Sequence, residues 1–358
     1  IEDLLGRPVI ELDASAIAKQ VKGARIVVTG GAGSIGSELV MQSLDRGAAE
    51  VLALDTAETP LHELGLLAHT RLGGTSSRLT TRIVDVRDGA RIQQHLSDFK
   101  PDLVYHAAAY KHVPVMEAQP EEAWHTNVIG TTQTLSAAKL AGASTFVLVS
   151  TDKAVNPSSI MGASKRMAEL AVRSFGEGGE MKCVITRFGN VLDSNGSVIP
   201  LFRRQIESGG PITLTDPEVT RYFMTIPEAV QLVMEAAATS AGDDIFVFDM
   251  GERVRIIDLA HRMIRLAGLV EGQDIDIDIV GMRPGEKLHE ELMSGQENLL
   301  ATHHPKILRA ARAEVNRDMV RNTIADSQAA LRQVPWTSEQ VKLAFSRHLP
   351  EYKPSHKD

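Results

Sequence analysis

The sequence has a single cysteine, Cys183, so no internal disulfide can form, a usage that suits a reducing cytoplasm. Set in an apolar run, this thiol is expected to pack as a small buried hydrophobe rather than to act as a nucleophile. Positive charge is not in excess: the formal net charge is −8. That argues against a surface built to neutralise a phosphate backbone, and no nucleic acid partner is expected. No apolar run reaches the ~18 residues of a membrane span and no signal peptide is visible, so the polypeptide is expected to be soluble. Internal repeats and low-complexity segments are also missing. His303-His304 and His289-Glu290-Glu291 lack the H-E-x-x-H spacing that sets two imidazoles on one helix face, and no metal site is expected.

What is present is an ordinary globular composition: 358 residues, 43% hydrophobic, 23% charged, with 28 glycines. At roughly 100–200 residues per domain, that length holds one large α/β unit or two ordinary domains, with ample apolar material for a core. The chain opens on Ile1 with a polar-apolar lead-in, IEDLLGRPVIELD, and reads as a piece of a longer protein.

From Ala24 onward, short apolar runs predicted as strands (25–29, 51–55, 80–85, 103–107, 145–150 and 183–188) alternate with amphipathic stretches (34–46, 90–98, 121–140 and 159–174). That is the pattern of repeated βα units. Uninterrupted apolar strands imply burial on both faces. The expected fold class is therefore α/β, a Rossmann-type doubly wound parallel sheet with a smaller C-terminal substrate-binding lobe. The expected layout is a lead-in (1–23), a dinucleotide-binding domain (24–188), an interleaved lobe (189–313), and a C-terminal helical appendage and tail (314–358).

The first predicted strand runs into Gly30-Gly31-Ala32-Gly33-Ser34-Ile35-Gly36, and a helix pattern follows at once. Glycines 30, 33 and 36 give G-x-x-G-x-x-G, which meets the demands of a dinucleotide loop: a tight turn, close approach of a pyrophosphate to backbone N–H groups, and close helix–strand packing. The motif alone is weak; its setting strengthens it. Asp55 ends the next strand 19 residues after Gly36, where a carboxylate can accept both ribose hydroxyls. A carboxylate there repels a 2′-phosphate, so NAD is expected over NADP. Asp85-Val86, at the end of the third strand, is placed to meet the adenine.

A later strand ends in Ser150-Thr151-Asp152-Lys153, and Met161-Gly162-Ala163-Ser164-Lys165 opens a helix. Hydroxyl, carboxylate and ammonium groups at the carboxyl end of a central strand lie where open α/β sheets bind ligands. Met161 and Lys165, at i and i+4, share a helix face directed at one cleft.

The dinucleotide loop, HAAAYKHVP (106–114), Asn127, STDKAVNP (150–157), M-x-x-x-K and RPGEKLHEEL (283–292) follow one another in this order. Together they resemble the extended short-chain dehydrogenases/reductases, and within them the nucleotide-sugar 4,6-dehydratases of CapD-like polysaccharide biosynthesis proteins. Met161 departs from the wider superfamily, which places a tyrosine base there, but the same methionine marks the large, membrane-anchored UDP-N-acetylglucosamine 4,6-dehydratases.

The resemblance implies bound NAD, a UDP-sugar substrate, a homo-oligomer, and membrane contact only through a segment preceding this cytoplasmic portion. It implies Asp152 as acid to the C6 hydroxyl and Lys153 as base at C5, each within hydrogen-bond reach. A neutral Lys153 requires a depressed pKa, expected from burial and from Lys165. Thr151, or a water held by Asp152, replaces the tyrosine at the C4 hydroxyl. Lys165 binds the nicotinamide ribose, and Asn127 orients substrate or Lys165. Arg187, Asn190, Arg221, Arg283 and Glu286 grip the nucleotide, with Lys111 and His112 near the sugar. A nucleotide-sugar 4-epimerase and a non-catalytic NAD-binding sensor are the rival readings.

Overall fold

The structure is a computed structural model and describes residues 15–74, 78–176, 180–293, 298–311, 316–331 and 336–354. Most of the lead-in and the last four residues of the tail fall outside this range. Its centre is a nine-stranded sheet. Six strands from the first half, β1 (Arg25–Thr29), β2 (Glu50–Asp55), β3 (Leu79–Ile83), β4 (Leu103–His106), β5 (Thr145–Thr151) and β6 (Lys182–Phe188), stand in the order 3-2-1-4-5-6. All of their pairings are parallel. Asp244–Phe248 extends the sheet in parallel beside β6. Ile307–Ala310 and Leu299–Ala301 close that edge antiparallel, so the chain beyond residue 240 returns to the same sheet. The doubly wound α/β class expected from the sequence is the one found.

Strand alternation explains the two cores. Ile26 and Val28 of β1, with Val51 and Ala53 of β2, face helices α1 (Ser15–Val21), α2 (Ser34–Asp45) and Ile226–Thr239. Val27, Leu52 and Leu54 face the opposite layer, helices Gly89–Phe99 and Thr131–Leu140. Helix Glu58–Arg71 is not among the stretches predicted from periodicity, because its apolar residues are spread around it: Leu61 and Leu64 are buried while Leu66 and Leu67 are more than half exposed. The stretch expected as one helix at 121–140 contains a π-helical turn, Trp124–Gly130, between Pro120–Ala123 and Thr131–Leu140.

A smaller apolar cluster, including Phe202, Ile212, Phe223, Leu259 and Ile275, lies beyond the carboxyl ends of β5 and β6. It is built by helices Val198–Glu207 and Ile256–Leu266 and by short strand pairs such as Ile212–Leu214 with Ile277–Ile279. Helices Arg317–Leu331 and Ser338–His348 pack on helix Ile160–Gly176 and on Trp124. Among the described residues, no helix is long and apolar enough to cross a membrane. Cys183 is buried, and burial pushes its thiol pKa up to about 12.

Candidate active site

The glycine loop has the shape that a dinucleotide demands. Gly30 has φ +67°, and a Cβ there would stand 2.5 Å from the Ala108 nitrogen; a Cβ on Gly36 would stand 1.9 Å from the Gly30 carbonyl oxygen. Both positions therefore exclude a side chain. Gly33 is the N-cap of α2, in extended backbone, and leaves the helix N-terminus bare for a phosphate. Ile35 packs on the core, and the Ser34 hydroxyl accepts a hydrogen bond from the Asn195 backbone N–H at 3.0 Å. Asp55 is tied to the loop: its Oδ2 accepts from Ala32 N at 3.0 Å and its Oδ1 from Ala57 N at 3.0 Å. These residues fit a dinucleotide.

At the expected adenine end the structure gives Asp85 a basic partner. Val86 is buried against Gly130, but the Asp85 carboxylate accepts from Arg87 Nε at 2.8 Å and from Arg87 N at 2.9 Å. Burial works to raise the Asp85 pKa, and the Arg87 hydrogen bonds outweigh it and hold it below the usual range.

At the carboxyl end of β5 the acid/base candidates lie in one cluster. The Asp152 side chain is fully buried. Its Oδ1 accepts from the Thr151 hydroxyl at 2.8 Å and from Lys153 Nζ at 3.0 Å, while its Oδ2 is buried with no hydrogen-bond partner. Gly189 faces that oxygen; a Cβ there would lie 3.0 Å from it. Lys153 Nζ also donates to Asn190 Oδ1 at 2.9 Å and stands 3.8 Å from Glu290 Oε1. The expectation of a depressed Lys153 pKa is not met. Burial does pull it down, but the charges of Asp152 and Glu290 outweigh burial and the repulsion of Arg221, and the ammonium is held above its ordinary value.

Lys165 lies on helix Ile160–Gly176: its Nζ donates to the Val149 carbonyl at 2.7 Å, and burial lowers its pKa to about 8. Thus, of these two lysines, it is Lys165 whose charge burial weakens. Asn127, in the π-helical turn, is fully buried and fully engaged: Oδ1 accepts from Tyr110 N at 2.8 Å, and Nδ2 donates to Tyr110 O at 3.0 Å and to Ser164 Oγ at 2.8 Å. It clasps the 106–114 segment to helix Ile160–Gly176 next to Lys165, a positioning task. Met161 is 3% exposed and sits in the apolar cluster with Met116, Trp124 and Phe345.

Arg187 is a correction. It is 1% exposed and forks onto Glu169 with bonds of 2.8 and 2.6 Å, so its guanidinium is an internal strut rather than a nucleotide clamp. The other candidates do converge. A cavity of about 270 Å³ is lined by Lys111, His112, Lys153, Asn190, Arg221, Arg283 and Glu286. Glu286 accepts from the Arg283 backbone N–H at 3.3 Å and shapes its own turn. Arg221 is 8% exposed and donates from Nη1 to the carbonyls of Thr220 and Leu288, which aims the rest of its fork at the cavity. Such an assembly of forked and point cations is suited to a diphosphate.

Sequence reasoning missed Glu290 and the docking of its segment. Lys287 Nζ donates to Val155 O at 3.1 Å, Asn156 Nδ2 to Glu291 Oε2 at 2.9 Å and Ser158 Oγ to Gly285 O at 3.2 Å. The 283–291 segment is therefore clamped onto the loop that carries Lys153. The available signal was the acidic pair within the RPGEKLHEEL motif.

A family model described as "Polysaccharide biosynthesis protein" matches residues 26–312. The chain is 47% identical over 309 residues to the probable polysaccharide biosynthesis protein EpsC of Bacillus subtilis (strain 168), covering 86% of this chain and 51% of that protein. It is 48% identical over 301 residues to the capsular polysaccharide biosynthesis protein CapD of Staphylococcus aureus, covering 83% and 49%. The chain thus spans about half the length of these two relatives. It is 34% identical over 284 residues to a UDP-glucose 4-epimerase of Rickettsia rickettsii (strain Sheila Smith), covering 76% and 78%. Among solved structures, Pen from Bacillus thuringiensis superposes with a TM-score of 0.74 at 29% identity, covering 86% of this chain and 98% of that one. The dTDP-glucose 4,6-dehydratase DesIV of Streptomyces venezuelae, a double mutant with NAD and DAU bound, superposes with a TM-score of 0.66 at 25% identity, covering 76% and 89%. With the fold of the short-chain dehydrogenase/reductase epimerases and dehydratases and a family match over most of its length, the chain belongs to the polysaccharide biosynthesis protein family.

Proposed function

We propose that this chain carries out the NAD-dependent 4,6-dehydration of UDP-N-acetylglucosamine to the UDP-4-keto-6-deoxy sugar, with retention at C5, for bacterial surface polysaccharide or glycoprotein sugar synthesis. The observation that carries the reading is the Asp152–Lys153 contact: a fully buried carboxylate 3.0 Å from an ammonium at the head of a cation-lined cavity. A 4-epimerase needs no such acid/base pair. Dehydration needs both members, one at C5 and one at the C6 hydroxyl.

NAD, which the Gly30–Gly36 loop and Asp55 would hold, would supply reversible hydride chemistry between C4 and C6 and be regenerated each turn. The chain's residues handle the protons. Thr151, whose hydroxyl is bonded to Asp152, offers the C4 hydroxyl proton a route that the buried Met161 thioether cannot. One proton passing from Lys153 Nζ to Asp152 across their hydrogen bond produces both forms that elimination requires, a neutral amine and a protonated acid. Lys153 then takes the C5 proton, and Asp152 gives its proton to the departing C6 hydroxyl, which leaves as water. Lys153 returns its proton to C5 on the same face, which is retention, and then regains from solvent the proton that the C4 hydroxyl released there through Thr151, so the ammonium–carboxylate pair is restored. Lys165 binds the nicotinamide ribose, and Arg221 and Arg283 hold the diphosphate.

The purified chain is incubated with UDP-N-acetylglucosamine and the products are followed by NMR and mass spectrometry. Loss of water with a C4 ketone is expected. The similarity to a UDP-glucose 4-epimerase favours a second reading, which predicts a product of unchanged mass with C4 inverted. NAD bound without turnover would point to a sensor.

A further inference from the structure

Glu290 has no task in the scheme above, yet it is the second carboxylate on the Lys153 ammonium. It is 4% exposed, its Oε1 stands 3.8 Å from Lys153 Nζ, and its Oε2 is buried without a hydrogen-bond partner while the residue lines the cavity. Its place is enforced by backbone: Thr220 N donates to Leu288 O, and Lys287, Glu291 and Gly285 anchor the flanking residues to the Lys153 loop. A buried carboxylate with an unsatisfied oxygen is costly, and its position on the same ammonium as Asp152 calls for a compensating role.

We propose that Glu290 is a positioning residue for the elimination: its carboxylate holds the Lys153 ammonium as a second counter-ion alongside Asp152 and stabilises the positive charge that Lys153 acquires when it takes the C5 proton. The proposal rests on the dehydratase reading and deepens it. Before reaction, two carboxylates share one ammonium. After the Lys153 proton has passed to Asp152, Glu290 is the one carboxylate of the pair still ionised beside the amine. Its attraction makes the amine a stronger base, and the proton that Lys153 then removes from C5 restores the ion pair. The charged groups facing Lys153 are Asp152 on its own loop, Glu290 on the 283–291 segment, and Arg221 from strand Thr220–Arg221, which opposes them; Asn190 is a neutral acceptor.

The test reads Lys153 directly and needs no turnover, so its failure is separable from failure of the dehydratase reading. The full chain, without substrate, is labelled with trace acetic anhydride across an alkaline pH series. Acetylation of Lys153 is quantified by mass spectrometry against the exposed Lys22 and Lys139. In the parent protein the Lys153 midpoint should lie at or above those of the exposed lysines; a midpoint below them overturns the proposal even if no variant folds. Glu290→Gln should lower the midpoint by about one pH unit or more, and Glu290→Asp, which keeps the charge, should restore most of it. A Gln variant that titrates with the parent overturns the proposal. With substrate, Glu290→Gln should lower kcat with little change in KM and move the pH profile of kcat to lower pH; a change in KM alone counts against the proposal.

Discussion

Arg187 and Glu169 form a two-pronged ion pair in the interior, Nε to Oε1 at 2.8 Å and Nη2 to Oε2 at 2.6 Å, with side-chain exposures of 1% and 0%. Ser150 donates to the same carboxylate at 2.7 Å and Arg166 at 3.1 Å. The pair binds the ends of β5 and β6 to helix Ile160–Gly176 four residues beyond Lys165, and so sets the register from which Lys165 reaches the Val149 carbonyl.

Glu169→Gln removes the charge and leaves the Arg187 guanidinium buried without its counter-ion. The expected loss is about 3–5 kcal/mol, measured as a fall in the urea midpoint with unchanged m-value. A loss below about 1 kcal/mol, the scale of an exposed pair, would show that the pair is not the strut described.

The same carboxylate has a pH signature. Burial alone would raise its pKa, but Arg187, Arg166 and Ser150 bring it down to about 2, against a reference of 4.5. A depressed carboxylate pKa contributes stability that is fully present above its unfolded value and is lost as pH falls through its folded value. The stability difference between the parent and Glu169→Gln should therefore be constant above pH ~5 and shrink as pH falls from ~4.5 towards ~2. A difference independent of pH over that window would contradict the assignment.

Asp55 holds the glycine loop through Ala32 N and Ala57 N while ending β2 where a ribose would lie. Asp55→Ala should weaken NAD binding more than NADP binding, read by calorimetric titration of both. Equal affinity of the parent for the two cofactors would remove the selectivity role.

For the elimination pair, Asp152→Asn and Lys153→Ala are each expected to lower turnover by at least roughly 10²-fold, the scale of losing an acid or base, with NAD still bound. Near-normal formation of the keto sugar by either variant would sink the assignment.

Met161 lies in an apolar cluster with Trp124 and Phe345. Met161→Tyr places a phenol against that cluster and should leave activity unchanged or lower it. A sharp rise would mean that the tyrosine is the missing base. In D₂O, the parent should give a product with deuterium at C5 and retained configuration by NMR; an inverted product would overturn the single-base argument and leave dehydration standing.

The site was legible in the sequence where its parts are local. Gly30 and Gly36 are forced by the turn itself, and Thr151, Asp152 and Lys153 are consecutive, so their convergence needs only a strand end. Arg187 was misplaced for a definite reason. β6 is covered on both faces, so alternation carries no information about whether a polar side chain meets the cleft or a partner in the interior. Asn127 was read as orienting substrate or Lys165, and only the π-helical turn showed that it does so by bonding Tyr110 and Ser164. Helix Glu58–Arg71 escaped because its pattern is blurred by exposed leucines.

From the residues alone came the α/β class, the dinucleotide loop and the cluster of Thr151, Asp152 and Lys153 at a strand end, because these depend on short-range spacing and backbone geometry; the acid and base roles of Asp152 and Lys153 came from the family resemblance. Only the tertiary structure decided that Glu290 joins Asp152 at the Lys153 ammonium, that Lys153 is held charged while Lys165 is brought to about 8, and that Arg187 is a strut. Each of these depends on burial and on the nearest opposite charge, and segments distant in sequence supply both.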